Sequence, residues 1–246
     1  MGERFVPDPG ASRGEMEAQQ REVAAEAIFH DDFDFDPGLV GTETGPLVAG
    51  VDQAFLDEKA VSAIVVTRGE SVVERTFAVT DLSIPYIPGL LSFREGGPII
   101  DAFETLETDP DLVLFDGSGR IHFRQAGIAT HMGVIFDVPS IGVAKSLLCG
   151  SPTEDTENLP EGARVPIEAN GRMDAPSGTV VGYAVQTRQY DSPNRHINPL
   201  IVSPGHRVGA ETAADLVANL STDYKLPEPT RLADAYADEA KRTIDT

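Results

Sequence analysis

The order of hydrophobic and polar positions changes character along the chain. In the first half, three short runs rich in β-branched residues, 46–55, 61–67 and 71–79, are separated by a few polar residues. Such runs are typical of β-strands, and the Arg-Gly-Glu sequence at 68–70 is typical of a tight turn. Because these connections are too short for crossovers, the pattern predicts an antiparallel meander of three strands.

After residue 90 the pattern alternates between helical and strand-like segments. Segment 93–106 has an apolar side with helical spacing, and 111–117 is a continuous apolar run that ends in an acid and a glycine, as a buried parallel strand often does. Further helices are predicted at 127–137, 208–220 and 228–242, and further strands at 139–145, 164–168 and 178–187. A meander followed by this alternation is typical of the α/β ribonuclease-H-like fold, a mixed sheet with flanking helices.

The first 45 residues differ from the rest. Segment 11–29 predicts an exposed amphipathic helix, and 30–45 predicts an acidic connector that contains glycine. We therefore divide the chain into an N-terminal helix with its connector, residues 1–45, and a ribonuclease-H-like domain, residues 46–246. A length of 246 residues is enough for one such domain and leaves little room for a second.

The charge balance is extreme, with a formal net charge of −21 and only four lysines among 19 basic residues. Acidic residues are spread along the whole chain, which favours adaptation to a salty cytoplasm over a surface that repels nucleic acid. Charge therefore does not exclude a DNA-binding role. Cys149 is the single cysteine, and no apolar run approaches the roughly 18 residues of a membrane span, so we expect a cytoplasmic protein without membrane contact.

Two aspartates stand in otherwise apolar strand-like runs. Asp52 lies within the first predicted strand and Asp116 at the end of the fourth, and these strands are neighbours at the centre of a ribonuclease-H-like sheet. A buried charge costs several kcal/mol unless it is paired or binds a metal. Two converging carboxylates offer oxygen ligands that suit Mg²⁺. The alternative is that Asp52 is paired or faces a turn and that Asp116 only ends a strand.

Three further residues are candidates for the same site. Glu95 lies at the start of a predicted helix, where an acid can bind a metal or only interact with the helix dipole. Lys145 ends a strand in a lysine-poor chain, and it can hold a phosphate or a metal-bound water or simply be solvated. His206 closes a Ser-Pro-Gly-His sequence, a predicted turn that would aim its imidazole as a metal ligand or proton carrier. A single histidine is more often a structural hydrogen-bonding residue.

Several long, irregular strings resemble the endonuclease V family. They are VAGVDQAF (48–55), PYIPGLLSFREGG (85–97), FDGSGRIHFRQAGIATHMG (115–133), PSIGVAKSLLCG (139–150), VSPGH (202–206) and PEPTRLA (227–233). Agreement of strings this long is not expected by chance, and together they extend from about residue 46 to the last helix. The resemblance and the acidic composition together indicate a source among halophilic archaea.

The resemblance implies a magnesium-dependent DNA repair nuclease, with Mn²⁺ as a substitute metal. Asp52, Asp116 and Glu95 would bind the metal, His206 would complete the acidic site, and Lys145 would stabilise charge near the scissile phosphate or orient the attacking water. Tyr86 would be a wedge that stacks at the lesion, an interaction worth about 1–3 kcal/mol per base. A pocket for the flipped base would be formed by Gly89, Leu91, Gly117, Gly119, His122, Ile128, Gly142 and Leu148. Each pocket residue could equally be an ordinary turn or core position, whereas a proline-flanked core or surface tyrosine is the less favoured alternative for Tyr86.

The implied reaction is nicking of DNA that contains deoxyinosine, by a monomer, at the second phosphodiester bond 3′ to the lesion. The products would carry 3′-hydroxyl and 5′-phosphate ends. Two main alternatives stay open: an inosine-specific endoribonuclease that acts on RNA with the same site, and a non-catalytic lesion-binding protein. A ribonuclease-H-like enzyme that cuts hybrids is a weaker third, because it leaves the PYIPG sequence unexplained. A non-catalytic lesion-binding protein would lack at least one of the acids of the site, whereas Asp52, Glu95 and Asp116 are all present.

Two regions depart from the family pattern. Residues 1–45 match it only loosely, and 188–199 looks longer than usual and is predicted to be a surface insertion. Six basic residues lie in or beside the motifs and predict an electropositive cleft on an acidic body: Arg94, Arg120, Arg124, Lys145, Arg207 and Arg231.

Overall fold

A computed structural model describes residues 2–192 and 194–244. Its centre is a nine-stranded mixed sheet in the order β3-β2-β1-β4-β5-β9-β8-β7-β6. The strands are β1 (Val48–Leu56), β2 (Lys59–Arg68), β3 (Ser71–Asp81), β4 (Leu112–Asp116), β5 (Ser140–Ala144), β6 (Ser151–Pro152), β7 (Arg164–Glu168), β8 (Val180–Val185) and β9 (Leu200–His206). The helices are α1 (Arg13–Glu26), α2 (Leu91–Phe103), α3 (Ile128–Phe136), α4 (Ala210–Leu220) and α5 (Glu228–Ile244). The predicted α/β ribonuclease-H-like fold is confirmed.

Strands β1 to β3 form the predicted antiparallel meander, and the parallel part of the sheet begins beside β1. β1 pairs in antiparallel fashion with β2 and in parallel fashion with β4, which in turn pairs in parallel with β5. β2 is buried along nearly its whole length because helices cover both faces of the sheet there, whereas the edge strand β3 is largely exposed. The two strands that carry the candidate aspartates, β1 and β4, are therefore direct neighbours.

Side chains alternate between two apolar layers on the two faces of the sheet. Val51 and Phe115 point into the layer formed with α2 and α3, together with Ile99 and Ile135. The residues that share a strand face with Asp52 and Asp116 point to the opposite side of the sheet. Val48 and Leu114 belong to the apolar layer under α4, and Ala54 packs against Ala237 of α5. Because side chains in a strand alternate, both aspartates face the α4 and α5 side.

Helix α5 lies unusually close to β1 because of one glycine. A Cβ atom built on Gly50 would come within 2.1 Å of the backbone carbonyl of Pro229, near the start of α5. Any larger residue at position 50 would push the helix away from the strand. The close contact is continued by the buried residues Ala233, Ala237 and Ala240, which lie along the helix. The fold thus places α5 directly over the segment of β1 that contains Asp52.

The N-terminal segment packs on the α2 and α3 layer. Phe5 and Val23 are buried there. The backbone N–H of Gly2 donates to the carbonyl of Ile135 at 2.6 Å, and the ring of His131 bonds the carbonyl of Phe5 at 2.8 Å. The boundary at residue 45 stays a prediction. Among the described residues, no helix is long and apolar enough to cross a membrane.

One element differs from its prediction. The Ser-Pro-Gly-His sequence was expected to form a turn, but it belongs to β9, which is buried from end to end between β5 and β8. Proline is accommodated there because the pairing with β5 shifts its register beside Ser140 and Ile141. The predicted surface insertion at 188–199 includes residue 193, which lies outside the described residues; on either side of it the chain has no regular structure.

Candidate active site

Asp52 and Asp116 meet at the centre of the sheet. Val51 is the register partner of Phe115, so the residues that follow them lie at the same level of adjacent parallel strands and on the same face. Asp52 is half-buried and accepts a hydrogen bond from the backbone N–H of Gln53 at 2.7 Å. The prediction that these two carboxylates lie side by side is confirmed.

The electrostatics of this pair favour a bound cation. Burial raises the pKa of Asp52 to about 8, and the nearby charge of Asp116 acts in the same direction. Burial also raises the pKa of Glu95 to about 7, although Arg94 opposes the shift. Such raised pKa values mean that no nearby positive charge compensates for ionisation of these carboxyl groups. A divalent cation would supply that charge.

Glu95 reaches the site from the first turns of α2. The side-chain amide of Gln53 donates to the backbone carbonyl of Glu95 at 3.0 Å and to the hydroxyl of Ser62 at 3.2 Å, so it ties α2 to the sheet beside Asp52. Asp52, Glu95 and Asp116 together line a cleft of about 120 Å³, which we call the acidic cleft. Gln53 also lines this cleft, and its buried amide oxygen has no hydrogen-bonding partner among the described residues.

Lys145 joins the cluster immediately after β5. Its ammonium nitrogen lies 2.8 Å from Oδ2 of Asp116. Burial alone would lower the Lys145 pKa, but the hydrogen bond and charge of Asp116, aided by Asp52 and Asp234, raise it overall. Lys145 is therefore protonated at neutral pH and neutralises part of the charge of the carboxylates.

The structure adds a residue that the sequence analysis did not single out. Asp234 lies on α5, and its carboxyl group is within hydrogen-bonding reach of Asp52, an interaction that raises the Asp52 pKa. Its charge also acts on Lys145. The only signal in the sequence was its position directly after the PEPTRLA string, on a helix with several other acids. Asp234 is brought to the site by the close packing of α5 on β1.

His206 does not belong to this cluster, and the expectation that it completes the acidic site is wrong. It pairs with Ser140 at the start of β5, whereas Asp116 pairs with Val143 near the end of that strand. Ser140 and Val143 are three residues apart, so His206 and Asp116 are separated by roughly 10 Å along the strand direction. They are also separated across the sheet, because β5 lies between β4 and β9. The His206 ring instead accepts from the backbone N–H of Ile28 at 3.2 Å and contacts Asp137 at 3.3 Å.

The donors around the acidic cleft fit a hard divalent cation. They are carboxylate oxygens, with the unpartnered amide oxygen of Gln53 beside them, and oxygen ligands are the ones that Mg²⁺ and Mn²⁺ prefer. Within residues 2–192 and 194–244, no three His, Cys, Asp or Glu side chains already stand in the geometry of a closed metal site. The salt bridge from Lys145 to Asp116 and the close approach of Asp234 to Asp52 accompany the present arrangement of the carboxylates.

A second cleft of about 160 Å³ lies next to the acidic cleft, and Ile128 lines both. We call it the base cleft. It is lined by seven of the residues that the family resemblance assigned to lesion recognition, together with five others: Tyr86, Gly89, Leu91, Ser92, Gly117, Ser118, His122, Gly127, Ile128, Ala144, Ser146 and Leu148. The predicted set is therefore brought together in space, apart from Gly119 and Gly142.

Gly119 and Gly142 lie behind the wall of the base cleft. A Cβ atom on Gly142 would come within 2.3 Å of the backbone nitrogen of Gly119 and 2.6 Å of the carbonyl oxygen of Gly117. The absence of a side chain at position 142 allows the loop after β4 to lie directly against β5. These two glycines thus support the cleft and do not line it.

Tyr86 and His122 have different surroundings at the base cleft. Tyr86 is 64% exposed at its rim, as a residue that contacts a large ligand would be. His122 is buried, and burial lowers its pKa to about 4. Its Nε2 bonds the carbonyl of Gly89 at 3.1 Å and its Nδ1 accepts from the backbone N–H of Arg124. Both ring nitrogens of His122 are engaged, so the residue braces the cleft wall.

The electropositive cleft stays a prediction, and most of the basic residues expected to form it have acidic partners. Four of the six basic residues face an acid in the described part of the chain: Arg124 faces Glu17, Lys145 faces Asp116, Arg207 faces Asp32 and Asp137, and Arg231 faces Glu228. Arg94 and Arg120 lie over the rings of Phe55 and Phe29 instead. The acidic composition of the chain provides partners for most of these cations.

Comparison with known proteins identifies the family to which this arrangement belongs. The family model described as endonuclease V matches residues 39–235. The chain belongs to the endonuclease V family. Its relatives include the endonuclease V of Haloarcula marismortui, 60% identical over 98% of this chain and 97% of the relative, and that of Halobacterium salinarum, 54% identical over 95% and 96%.

Solved endonuclease V structures share the fold. The protein from Streptomyces avermitilis superposes with a TM-score of 0.81 at 33% identity and covers 98% of both chains. The Ciona intestinalis endonuclease V, bound to a 24mer DNA that contains an inosine followed by a ribo-adenosine, superposes with a TM-score of 0.75 at 27% identity over 94% of this chain and 98% of that one. As a member of the endonuclease V family, the chain is a nuclease that hydrolyses phosphodiester bonds.

Proposed function

We propose that this endonuclease V is a metal-dependent repair nuclease that nicks DNA containing deoxyinosine at the second phosphodiester bond 3′ to the lesion. The products would carry 3′-hydroxyl and 5′-phosphate ends. The observation that carries the proposal is the placement of Asp52 and Asp116 at one level of two adjacent central strands, beside Glu95 and Asp234. Two carboxylates held in this way suit metal-assisted hydrolysis of a phosphodiester.

The residues of the acidic cleft would hold Mg²⁺, with Mn²⁺ as a substitute. Asp52, Asp116 and Glu95 supply the carboxylates, and Asp234 is near enough to Asp52 to join them. When bound, such an ion polarises the scissile phosphate and lowers the pKa of a bound water. A site made of oxygen donors disfavours softer metals, which prefer nitrogen and sulfur.

The side chains have separate tasks in this proposal. Asp52 and Asp116 would hold the metal ion, which in turn would position the phosphate group to be cut, and Glu95 closes the cleft from the α2 side. Lys145 remains charged in the protein, so its ammonium group can stabilise negative charge that develops on the phosphate. The hydrogen bonds from Gln53 keep α2 at a fixed distance from β1. The chain thus positions its reacting groups on strands and helices of the core.

The base cleft would take the deaminated base after it leaves the duplex. It adjoins the acidic cleft, with Tyr86 exposed at its rim. Removal of a base from the stack costs a few kcal/mol, which stacking on an aromatic ring can offset. The DNA bound by the related Ciona protein contains an inosine, which supports the same class of ligand here.

An inosine-specific endoribonuclease is the second candidate. The ribo-adenosine that follows the inosine in the nucleic acid bound by the Ciona protein favours it. Matched strands that carry one inosine in DNA or in RNA separate the two candidates, because the preferred strand is cut faster at equal enzyme concentration. A cytoplasmic location and a monomeric state stay predictions.

The decisive experiment is a nicking assay on an inosine-containing duplex with Mg²⁺, repeated over salt concentrations up to the molar range. The Asp116→Ala protein should not nick, because the change removes a central carboxylate. Asp109→Ala is the matched control, since Asp109 is an exposed aspartate in the segment before β4. Nicking by Asp116→Ala at the rate of the control would remove the assignment.

A further inference from the structure

Ser92 stands out among the residues that line the base cleft. It occupies the second position of α2, is 1% exposed, and its buried hydroxyl has no hydrogen-bonding partner among the described residues. A buried hydroxyl that makes no hydrogen bond destabilises a folded protein, and such groups are uncommon in native structures. A ligand bound in the cleft would supply the hydrogen-bonding partner that the Ser92 hydroxyl lacks.

The chain around Ser92 makes this end of α2 a polar wall. No side chain caps the helix, because Leu90 stands at the capping position, so the N–H groups of its first turn have no side-chain acceptor. The carbonyl oxygen of Gly89 is already taken, since it accepts from Gln20 at 3.0 Å, His122 at 3.1 Å and Arg124 at 3.2 Å. The backbone N–H of Phe93 donates to the carbonyl of Leu90 at 3.1 Å, so the groups left for a ligand are the N–H groups of Leu91 and Ser92 and the hydroxyl of Ser92.

We propose that Ser92 binds the flipped base directly, through a hydrogen bond between its hydroxyl and the N1–H of a 6-oxopurine. The helix N–H groups on the same wall then face the 6-oxygen, an acceptor that adenine replaces with an amino group. This proposal rests on the proposed function and deepens it. It explains why a destabilising hydroxyl is kept at a buried position: the base supplies the partner that the free protein lacks.

The test combines a change in the protein with a change in the base. Ser92→Ala is compared with wild type on strands that carry either inosine or benzimidazole, a bicyclic base with no polar atom on its six-membered ring. Binding is measured by fluorescence anisotropy in EDTA, so that the strand stays intact. Ser92→Ala should bind the inosine strand about three- to tenfold more weakly, as expected for one lost hydrogen bond, and the benzimidazole strand as wild type does. Equal effects on both strands, or no effect on either, would overturn the proposal.

Ser71→Ala is the matched control, because Ser71 is an exposed serine at the start of β3 that lines neither cleft. It should leave both affinities unchanged. A second readout separates base binding from a structural role. Because Ser92→Ala removes an unsatisfied hydroxyl, the Tm of the variant should be about 2–4 °C higher than that of wild type, while its affinity for the inosine strand is lower. A lower Tm together with weaker binding would mean that Ser92 only supports the fold.

Two outcomes keep this proposal distinct from the proposed function. If wild type does not distinguish the inosine strand from an adenosine strand, the assignment of the base cleft fails first. If wild type prefers inosine and Ser92→Ala shows the same preference and affinity, only the role of Ser92 fails. Ser92→Cys serves as a second variant of similar size whose thiol bonds weakly, and it should fall between wild type and Ser92→Ala on the inosine strand.

Discussion

The buried ring of His131 should make the stability of this protein depend on pH in a way that one substitution can isolate. His131 is fully buried in α3, and burial lowers its pKa from 6.5 to about 4. Its Nε2 bonds the carbonyl of Phe5, while its buried Nδ1 has no partner among the described residues. Protonation would therefore bury both a charge and an N–H group without an acceptor.

The magnitude follows from the two pKa values. The folded-state pKa lies below the unfolded value, so the contribution to stability is complete above pH 6.5 and is lost as the pH falls toward 4. Between pH 7 and pH 5 the unfolded chain takes up most of one proton at this residue, while the folded protein takes up almost none. The loss amounts to about 2 kcal/mol of unfolding free energy.

Other groups titrate in the same range, so the assay must be differential. Asp52 and Glu95 have raised pKa values and act in the opposite direction, since protonation on acidification relieves their burial. In His131→Gln, the amide can still donate to the carbonyl of Phe5 but cannot titrate. Urea unfolding of both proteins at pH 7 and pH 5, at one high salt concentration, gives the difference directly.

Between pH 7 and pH 5, wild type should lose about 2 kcal/mol more unfolding free energy than His131→Gln does. His122, whose pKa is also lowered to about 4, is present in both proteins, and its contribution cancels. If the two proteins change by the same amount between the two pH values, the neutral, unpartnered state of His131 is refuted.

Three further predictions concern the two clefts. Asp234→Asn should reduce nicking of an inosine duplex by about 10–100-fold, as the loss of a group that supports a metal site does, without lowering the Tm; wild-type nicking rates would contradict the contact with Asp52. Gly142→Ala should lower the unfolding free energy by about 1–3 kcal/mol in urea unfolding and weaken binding of inosine strands, because its Cβ would press on the backbone of Gly119; unchanged values would show that the loop can yield. Tyr86→Ala should leave stability within about 0.5 kcal/mol of wild type and weaken binding of an inosine strand by about 1–3 kcal/mol, whereas Tyr86→Phe should retain binding; equal losses in both would exclude stacking as the role of the ring.

The central part of the fold and most of the acidic cleft could be predicted because their signals are local. The meander is encoded in short β-branched runs with tight turns, and each aspartate interrupts an apolar run. Lys145 could be found because lysine is rare in this chain and follows directly after a buried strand. In each case the functional residue is a charged residue that interrupts, ends or directly follows a run of apolar residues in a strand.

The remaining features depend on contacts between distant segments. Asp234 looks like any other acid on a solvated helix, and only the packing of α5 against Gly50 brings it to Asp52. The Ser-Pro-Gly-His sequence has the composition of a turn, yet it continues β9 and pairs with β5, which makes it part of a buried strand and places His206 beside Ser140, away from Asp116. The neutralisation of the basic residues likewise arises from acids far away in sequence, such as Glu17 beside Arg124.

Gln20, on the N-terminal helix, reaches across the molecule to the wall of the base cleft. Its buried amide donates to the carbonyl of Gly89, and its amide oxygen accepts from Arg124 at 2.7 Å. The helix that carries it lies before residue 39, where the family match begins. Substitutions in this segment would therefore adjust lesion selectivity while every motif residue is unchanged, and a shortened protein that starts at the match would lose one of the three donors that fix the position of Gly89.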